Sequence, residues 1–359
     1  MLADKTFGHL LFDVINKGKC THCGGCVASC PYSVISFEDQ LPKLLGSCEA
    51  CGVCWNACPK TIYDYEEMGR IVFGRVQMRD EPLGIYRVIY SARSKINEVL
   101  KVAQNGGIAT TLLLYALDKN VIDGSIVSEV KLRKGIWRPW PSVATEAKEL
   151  VEAAGTKYTT SPVLLGLKYA VAGYGMKKVG IIGTPCEVQA VRKLQYSDKA
   201  WYRGENIDFV IGLFCMKSFR YEDLMKFIAS KGIEPKDITK FDIRKGKFVA
   251  YVGDKEVLML PLDDIKDYAE NPCRTCSDFS SEYADISVGA VGSPEGWSTM
   301  IIRTEIGEKI FRGAYEAGYI EVKPIEEVKP GLKSVIKLSE YKKEISKEYS
   351  EEISNPEQK

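Results

Sequence analysis

The chain has 359 residues, 45% of them apolar and 27% charged, with a formal net charge of +1. That length suits two or three domains with real cores, and the apolar share excludes a disordered chain. A charge so close to neutral gives no electrostatic reason to expect nucleic acid as a partner.

The longer apolar runs, such as VIGLFCM (210–216), have strand length, far short of the roughly 20 residues of a membrane span. No transmembrane segment is therefore expected. Residues 1–12 lack the basic start, apolar run and small-residue cleavage site of a secretory leader. These features point to the cytoplasm, with any attachment to the inner face of the cell membrane made through a partner. Twelve cysteines stand against two histidines, His9 and His22. In a reducing compartment so many thiols argue for metal chemistry rather than disulfides, and histidine acid–base catalysis has little to work with.

The first sixty residues carry CTHCGGCVASCP and CEACGVCWNACP. Both read C-x2-C-x2-C-x3-C-P, the spacing of a two-cluster bacterial-type ferredoxin, in which the fourth cysteine of each run serves the other cluster. The spacing assigns Cys20, Cys23, Cys26 and Cys58 to one 4Fe-4S cluster, and Cys48, Cys51, Cys54 and Cys30 to its neighbour. Two zinc knuckles are the alternative, but they do not require eight cysteines in this order. His22 reads as a spacer near the cluster surface.

A ferredoxin domain is thus expected over residues 1–65, followed by a connector over 66–82 with one short strand. Strands and helices alternate from Leu83. Strands are expected at 84–93, 121–130, 177–183 and 208–215, and helices at 106–120, 145–155, 162–175 and 221–232. A hairpin follows at 240–260. The alternation predicts an α/β (α+β) domain over 83–325. Residues 326–359 form a charged tail. In it Leu338, Tyr341, Ile345, Tyr349 and Ile353 recur at helical spacing, which predicts an amphipathic helix packed on its own domain or offered to a partner.

Four cysteines remain. Cys186 and Cys215 each stand where a buried strand runs out, and Cys273 and Cys276 form a C-x2-C on a Pro-led loop. Strand ends are where α/β folds gather ligands. One more cubane or a four-thiolate zinc site would use all four. Cys186, in GTPCEVQ at a helix start, also has the position of a nucleophile, but no histidine is available to activate it.

The segments QNGGIATTLLLYAL, AAGTKYTTSP, GTPCEVQAVRKL, GLFCMKS and CRTCSDFSSEYADISVGAVGSPEGWSTMIIRT occur in this order between about Leu83 and Ile320. Together they resemble the family of coenzyme F420 hydrogenase/dehydrogenase beta subunits. With the ferredoxin in front, the chain is similar to the electron-input subunit of the F420H2 dehydrogenases. The resemblance implies a flavin- and iron–sulfur-binding domain in which Cys186, Cys215, Cys273 and Cys276 hold a third 4Fe-4S cluster beside an FAD. It implies coenzyme F420 as substrate, with hydride passing between the stacked deazaflavin and flavin rings. The implied partner is a redox protein or a membrane-bound quinone- or methanophenazine-reducing respiratory complex. Related electron-input modules serve formate dehydrogenase, sulfite reductase and glutamate synthase systems or reduce F420 from ferredoxin. A polyferredoxin carrier without its own substrate is the reading from another class.

Within this resemblance, Asn105, Gly106 and Gly107 open a helix whose N-terminus suits a pyrophosphate, with the Thr110 and Thr111 hydroxyls in its first turn. Lys157 and Tyr158 are expected to touch flavin or phosphate. Gly183 and Thr184, beside Cys186, are expected to bring flavin and cluster together. Trp297, in the Gly- and Pro-rich stretch 289–299, could pack on a ring system, and no role is assigned to Ala290. Arg192, Lys193, Lys217 and Arg274 are the candidate cations for the coenzyme's anionic tail.

Overall fold

A computed structural model describes residues 5–133, 136–197 and 203–354. Residues 1–4 and 355–359, the outermost parts of the expected ferredoxin unit and tail, lie outside these. The N-terminal unit repeats one small motif twice. Short helices Gly25–Ala28 and Val53–Ala57 each start from a left-handed glycine, Gly24 (φ 81°) and Gly52 (φ 76°). Two residues earlier, His22 (φ 59°) and Ala50 (φ 51°) are left-handed too. The chain thereby curls back so that three cysteines of each run share one turn. Between the repeats, β1 (Ile35–Glu38) and β2 (Leu41–Leu44) form a hairpin. Its turn residues Asp39 and Gln40 both have positive φ, matching the right-handed twist of the strands.

The stretch expected to be a connector with one strand forms instead a helix, Tyr65–Phe73. Asp64 caps it by accepting from the Glu67 amide, and left-handed Gly74 ends it. The run RIVF reads as a strand in isolation. Met68 and Val72, four residues apart, lie on one side of the helix and pack into the larger domain's core.

That domain is built on an eight-stranded sheet. Its strands are β3 (Val88–Ser94), β4 (Gly124–Arg133), β5 (Ile136–Ala144), β6 (Val179–Gly183), β7 (Ile207–Leu213), β11 (Ile286–Gly289), β12 (Ser298–Ile302) and β13 (Ile320–Pro324). The order is β13-β3-β12-β11-β7-β6-β4-β5. The central four, β11, β7, β6 and β4, run parallel, and the flanking pairs are antiparallel. Neighbouring side chains along the parallel strands feed opposite cores. Ile126 and Val210 face helices Leu165–Lys168 and Pro185–Tyr196, whereas Val127, Phe209 and Ile211 face Ile108–Asp118 and Glu305–Glu316. Both faces are covered, as parallel sheets require. β5 escapes prediction because Pro139 and Pro141 interrupt its pattern; it tolerates them as the terminal strand of the sheet.

The expected hairpin at 240–260 is a three-stranded antiparallel sheet of β8 (Lys240–Arg244), β9 (Lys247–Val252) and β10 (Lys255–Pro261). It packs with helix Tyr221–Ser230 around Phe241 and Phe248. The tail forms the expected helix, Leu332–Ser354, packed on its own domain. Its most buried seam is offset from the apolar stripe. Val335, Ser339, Lys342 and Ser346 face inward, Leu338 packs beside them, Ile345 and Tyr349 are half-buried, and Tyr341 and Ile353 stay exposed. Polar atoms of this seam find partners below: Ser339 donates to the Pro82 carbonyl (2.6 Å) and Lys343 pairs with Glu282 (2.8 Å).

Candidate iron–sulfur sites and their junction

Cys20, Cys23, Cys26 and Cys58 line one pocket, together with Leu10, Val14 and Phe37. Cys30, Cys48, Cys51 and Cys54 line a second, walled by Phe7, Pro31 and Val53. The fourth cysteine of each run thus stands with the other run's three. Burial pushes Cys20, Cys23 and Cys54 up to about 12, and neighbouring cysteines of the same quartet add to the rise. Such sulfurs ionise readily only against a cation, which is what iron in a cluster supplies.

The last four cysteines gather beyond the carboxyl ends of the parallel strands. Cys186 is the second residue of helix Pro185–Tyr196, which follows β6 through a Thr184–Glu187 capping box. Cys215 lies two residues past β7. Cys273 belongs to the short helix Asn271–Arg274, with Cys276 just after it. Burial pushes Cys215 up to about 12, with Cys273 and Cys276 acting in the same direction, and Cys186 rises well above its ordinary value through burial, Glu187, Cys276 and Cys215. The quartet therefore lies within one electrostatic neighbourhood. An activated nucleophile needs a lowered pKa, so Cys186 is unsuited to that role. Among the described residues no three His, Cys, Asp or Glu side chains converge closely enough to hold one metal ion.

Several residues at these sites carry no signal in the sequence. Lys342, on the C-terminal helix, is 2% exposed and donates to the carbonyls of Cys215 (2.5 Å) and Asp278 (2.7 Å). Burial works against its charge, but Cys276, Cys215, Asp278 and Cys273 outweigh this and hold the ammonium well above its ordinary pKa. His22 is more than a spacer: its Nδ1 lies 2.6 Å from the Gln40 carbonyl, and its Nε2 lies 3.3 Å from Glu270. Burial lowers the imidazole pKa, yet Glu270, Gln40 and Glu222 raise it further, for a net rise. The Glu270 carbonyl in turn accepts from the Cys273 amide (3.0 Å). His22 therefore joins the turn between Cys20 and Cys23 to the loop of the last quartet.

Most of the residues expected around a flavin are engaged within the fold, and the unpartnered polar atoms belong to neighbours that were not expected there. Gly106 is wedged between β3 and β12: its amide donates to Ser298 Oγ (3.0 Å) and its carbonyl accepts from Ser94 (2.7 Å). Gly107 (φ 71°) caps helix Ile108–Asp118. Lys157 donates to the carbonyls of Ala153, Ala154 and Gly155, which occupies all three of its N–H groups. The Tyr158 hydroxyl accepts from the Ile243 amide (3.2 Å), tying this segment to the small sheet. Gly183 lies against Glu187, and Thr184 Oγ1 stands 3.4 Å from Cys186 Sγ. Asn105 and Thr110 are half-buried. The orphaned groups lie close by in the chain: Thr159 Oγ1, Thr160 Oγ1 and Gln104 Oε1 are buried without a hydrogen-bond partner. Such atoms fit a polar ligand laid along these segments.

Two of the four candidate tail cations are structural. Arg192 is buried against the Tyr283 carbonyl (2.7 Å) and Asp285 (2.9 Å). Lys193, pulled down to about 8 by burial, donates to the carbonyls of Cys58 and Ile62 (2.7 Å each) and to Thr61. Arg274 packs on Tyr349, and Lys217 is exposed. Trp297 carries Lys323 over its ring, at 4.4 Å.

Comparison with known proteins agrees with this geometry. Residues 89–168 match the N-terminal model, and 176–328 the C-terminal model, of the coenzyme F420 hydrogenase/dehydrogenase beta subunit. Residues 12–59 match a 4Fe-4S dicluster domain. The chain is 47% identical to the coenzyme F420 hydrogenase subunit beta of Methanothermobacter thermautotrophicus over 264 residues, 73% of this chain and 93% of that one. It is 33% identical to an F420H2 dehydrogenase subunit of Methanosarcina mazei over 346 residues, 95% of this chain and 94% of that one. Among solved structures, a chain of the F420-reducing NiFe hydrogenase complex from Methanosarcina barkeri aligns with a TM-score of 0.72 and 41% identity, over 77% of this chain and 94% of that one. No helix among the described residues is long and apolar enough to cross a membrane. With both beta-subunit halves and the dicluster domain matched in order, the protein belongs to the family of coenzyme F420 hydrogenase/dehydrogenase beta subunits, F420-linked redox proteins that it joins with a 4Fe-4S ferredoxin unit at its N-terminal end.

Proposed function

We propose that the chain oxidises F420H2 by hydride transfer to a bound FAD and passes the electrons singly, through three 4Fe-4S clusters, to a partner. That partner is a redox protein or a membrane-bound quinone- or methanophenazine-reducing complex, which the chain meets from the cytoplasm. A bound FAD supplies the conversion of one hydride into two separate electrons. The observation that carries the proposal is the junction: the quartet at the ends of β6 and β7 adjoins the first ferredoxin quartet through His22 and Glu270.

The chain's own residues divide the work. Thr159, Thr160 and Gln104 offer unspent polar atoms to the flavin, beside Asn105, Gly107 and Thr110 at the helix start. Thr184 and Gly183, beside Cys186, would bring flavin and cluster together. Cys186, Cys215, Cys273 and Cys276 hold the cluster that receives electrons first. Cys20, Cys23, Cys26 and Cys58, bound to that region through His22 and Lys193, hold the next. Cys48, Cys51, Cys54 and Cys30 hold the last. Cys48 is exposed there, with Tyr32, Leu44 and Leu45 also exposed nearby in the sequence, which suits a docking partner.

Anaerobic purification followed by iron, sulfide and flavin analysis tests the reading. It requires about twelve iron atoms, four in each of three cubanes, and one FAD per chain. F420H2 should bleach the flavin and drive an artificial acceptor. Faster reduction by NADH, or a protein without flavin, overturns it.

A further inference from the structure

The C-terminal helix brings a lysine beneath the last cysteine quartet, and nothing in the family match, which ends at residue 328, assigns that residue a role. We propose that Lys342 is a positioning and potential-setting residue for the cluster held by Cys186, Cys215, Cys273 and Cys276. This rests on the functional reading above, since it concerns the same site.

Three observations lead to it. Lys342 is 2% exposed, on a helix whose other lysines among the described residues lie at more open positions. Its ammonium is clamped on the backbone of the site itself, by the carbonyls of Cys215 and of Asp278, two residues beyond Cys276. Ser339 and Lys343, flanking it, both donate to the Pro82 carbonyl (2.6 and 2.8 Å), which fixes the helix against sliding. A buried charge is kept where something of opposite sign offsets its desolvation. A cluster with four thiolate ligands is anionic and gains one further negative charge when it takes an electron. A fixed cation at the cysteine backbone stabilises the reduced state more than the oxidised one, and so raises the potential at which the cluster accepts its electron. Lys342 thereby favours transfer from the flavin onto this cluster.

The test uses the full chain, purified anaerobically with its cofactors. Lys342→Met and Lys342→Gln remove the charge, and Lys342→Arg keeps it. The cluster is poised with dithionite, which donates one electron to it, and read by EPR against ambient potential. The expected result is a fall of at least tenfold in the reduced-to-oxidised ratio at fixed potential for Met or Gln, equivalent to about 59 mV for a one-electron couple. Arg should stay near the wild type, and the two ferredoxin clusters should not move. An unchanged potential in Met or Gln with full iron content overturns the proposal. So does loss of about four irons from all three variants, because the side chain would then serve shape rather than charge. A wild-type protein with only about eight irons would instead sink the functional reading, so the two failures are distinguishable.

Discussion

His22 Nε2 lies 3.3 Å from Glu270 Oε2, and this pair, whose members stand about 250 residues apart in sequence, joins two cysteine quartets. Both side chains are largely buried, and each sits on a backbone turn that presents cysteines. His22 takes a left-handed conformation between Cys20 and Cys23, and Glu270 precedes the helix carrying Cys273. The pair is therefore one of the contacts that seat the ferredoxin unit on the larger domain, beside the Leu164 amide on the Cys23 carbonyl and Lys193 on the Cys58 carbonyl.

Replacing His22 by alanine leaves the Glu270 carboxylate without its imidazole in a site that excludes most water. Such a loss costs about 1–3 kcal/mol. Amide exchange over residues 20–31 and 268–276 should accelerate on the order of tenfold, equivalent to about 1.4 kcal/mol, with iron content unchanged. Exchange at the wild-type rate in both segments would show that the contact does not hold the junction.

The two ferredoxin-type runs were legible because their cysteines are local: spacing alone determines which sulfurs can share a turn. The alternating α/β core was legible for a similar reason, since strands such as 177–183 are short apolar runs between turn signals. The junction was not. His22 meets Glu270, and Lys193 meets Cys58, through contacts with no counterpart in local pattern. Lys342 was hidden for the opposite reason. Its helix shows an apolar stripe, and the most buried seam lies beside that stripe, because backbone carbonyls below the helix recruit serine and lysine.

The crossed arrangement of the ferredoxin cysteines separates two variants that look alike in sequence. Cys58→Ser should damage the cluster held with Cys20, Cys23 and Cys26, while Cys30→Ser should damage the one held with Cys48, Cys51 and Cys54. EPR of the reduced proteins distinguishes them, since a different member of the coupled pair survives in each. Identical residual spectra would contradict the pairing.

Cys186→Ser should remove about four irons and leave the ferredoxin pair reducible by dithionite. Electron delivery from F420H2 to that pair should stop, because the cluster that receives electrons first is gone. Three intact reduced signals in this variant would remove Cys186 from the ligand set.

A Cβ added at Gly106 would stand 2.6 Å from the Ala92 carbonyl oxygen and 2.7 Å from the Ser298 amide nitrogen. Both are backbone atoms of adjoining strands and cannot swing aside. Gly106→Ala should therefore push the start of helix Ile108–Asp118 off β3 and β12, at a cost of about 1–3 kcal/mol. A lower unfolding temperature together with reduced flavin content is the expected outcome. Normal stability with normal flavin would mean that the sheet yields there.

The helix Pro185–Tyr196 acts as a strut between two of the sites. Cys186 stands at its start, and Lys193, seven residues or two turns later, rises about 10.5 Å along the axis to donate to the carbonyls of Cys58 and Ile62. The strut transmits the position of the last quartet to the backbone of a cysteine in the first. Lys193→Met keeps the length of the side chain and removes all three donors, so that the segment is held locally by the Thr61 hydroxyl's bonds to the Trp55 and Cys58 carbonyls. The segment 59–64, which leads from the ferredoxin unit into helix Tyr65–Phe73, should then open more often. Limited proteolysis there should quicken on the order of tenfold, the equivalent of about 1.4 kcal/mol. Iron content should hold, because no ligand is touched, and transfer between the two clusters should slow as their spacing loosens. Unchanged cleavage in Lys193→Met would place the restraint elsewhere, on contacts such as His22 with Glu270 and the Leu164 amide with the Cys23 carbonyl.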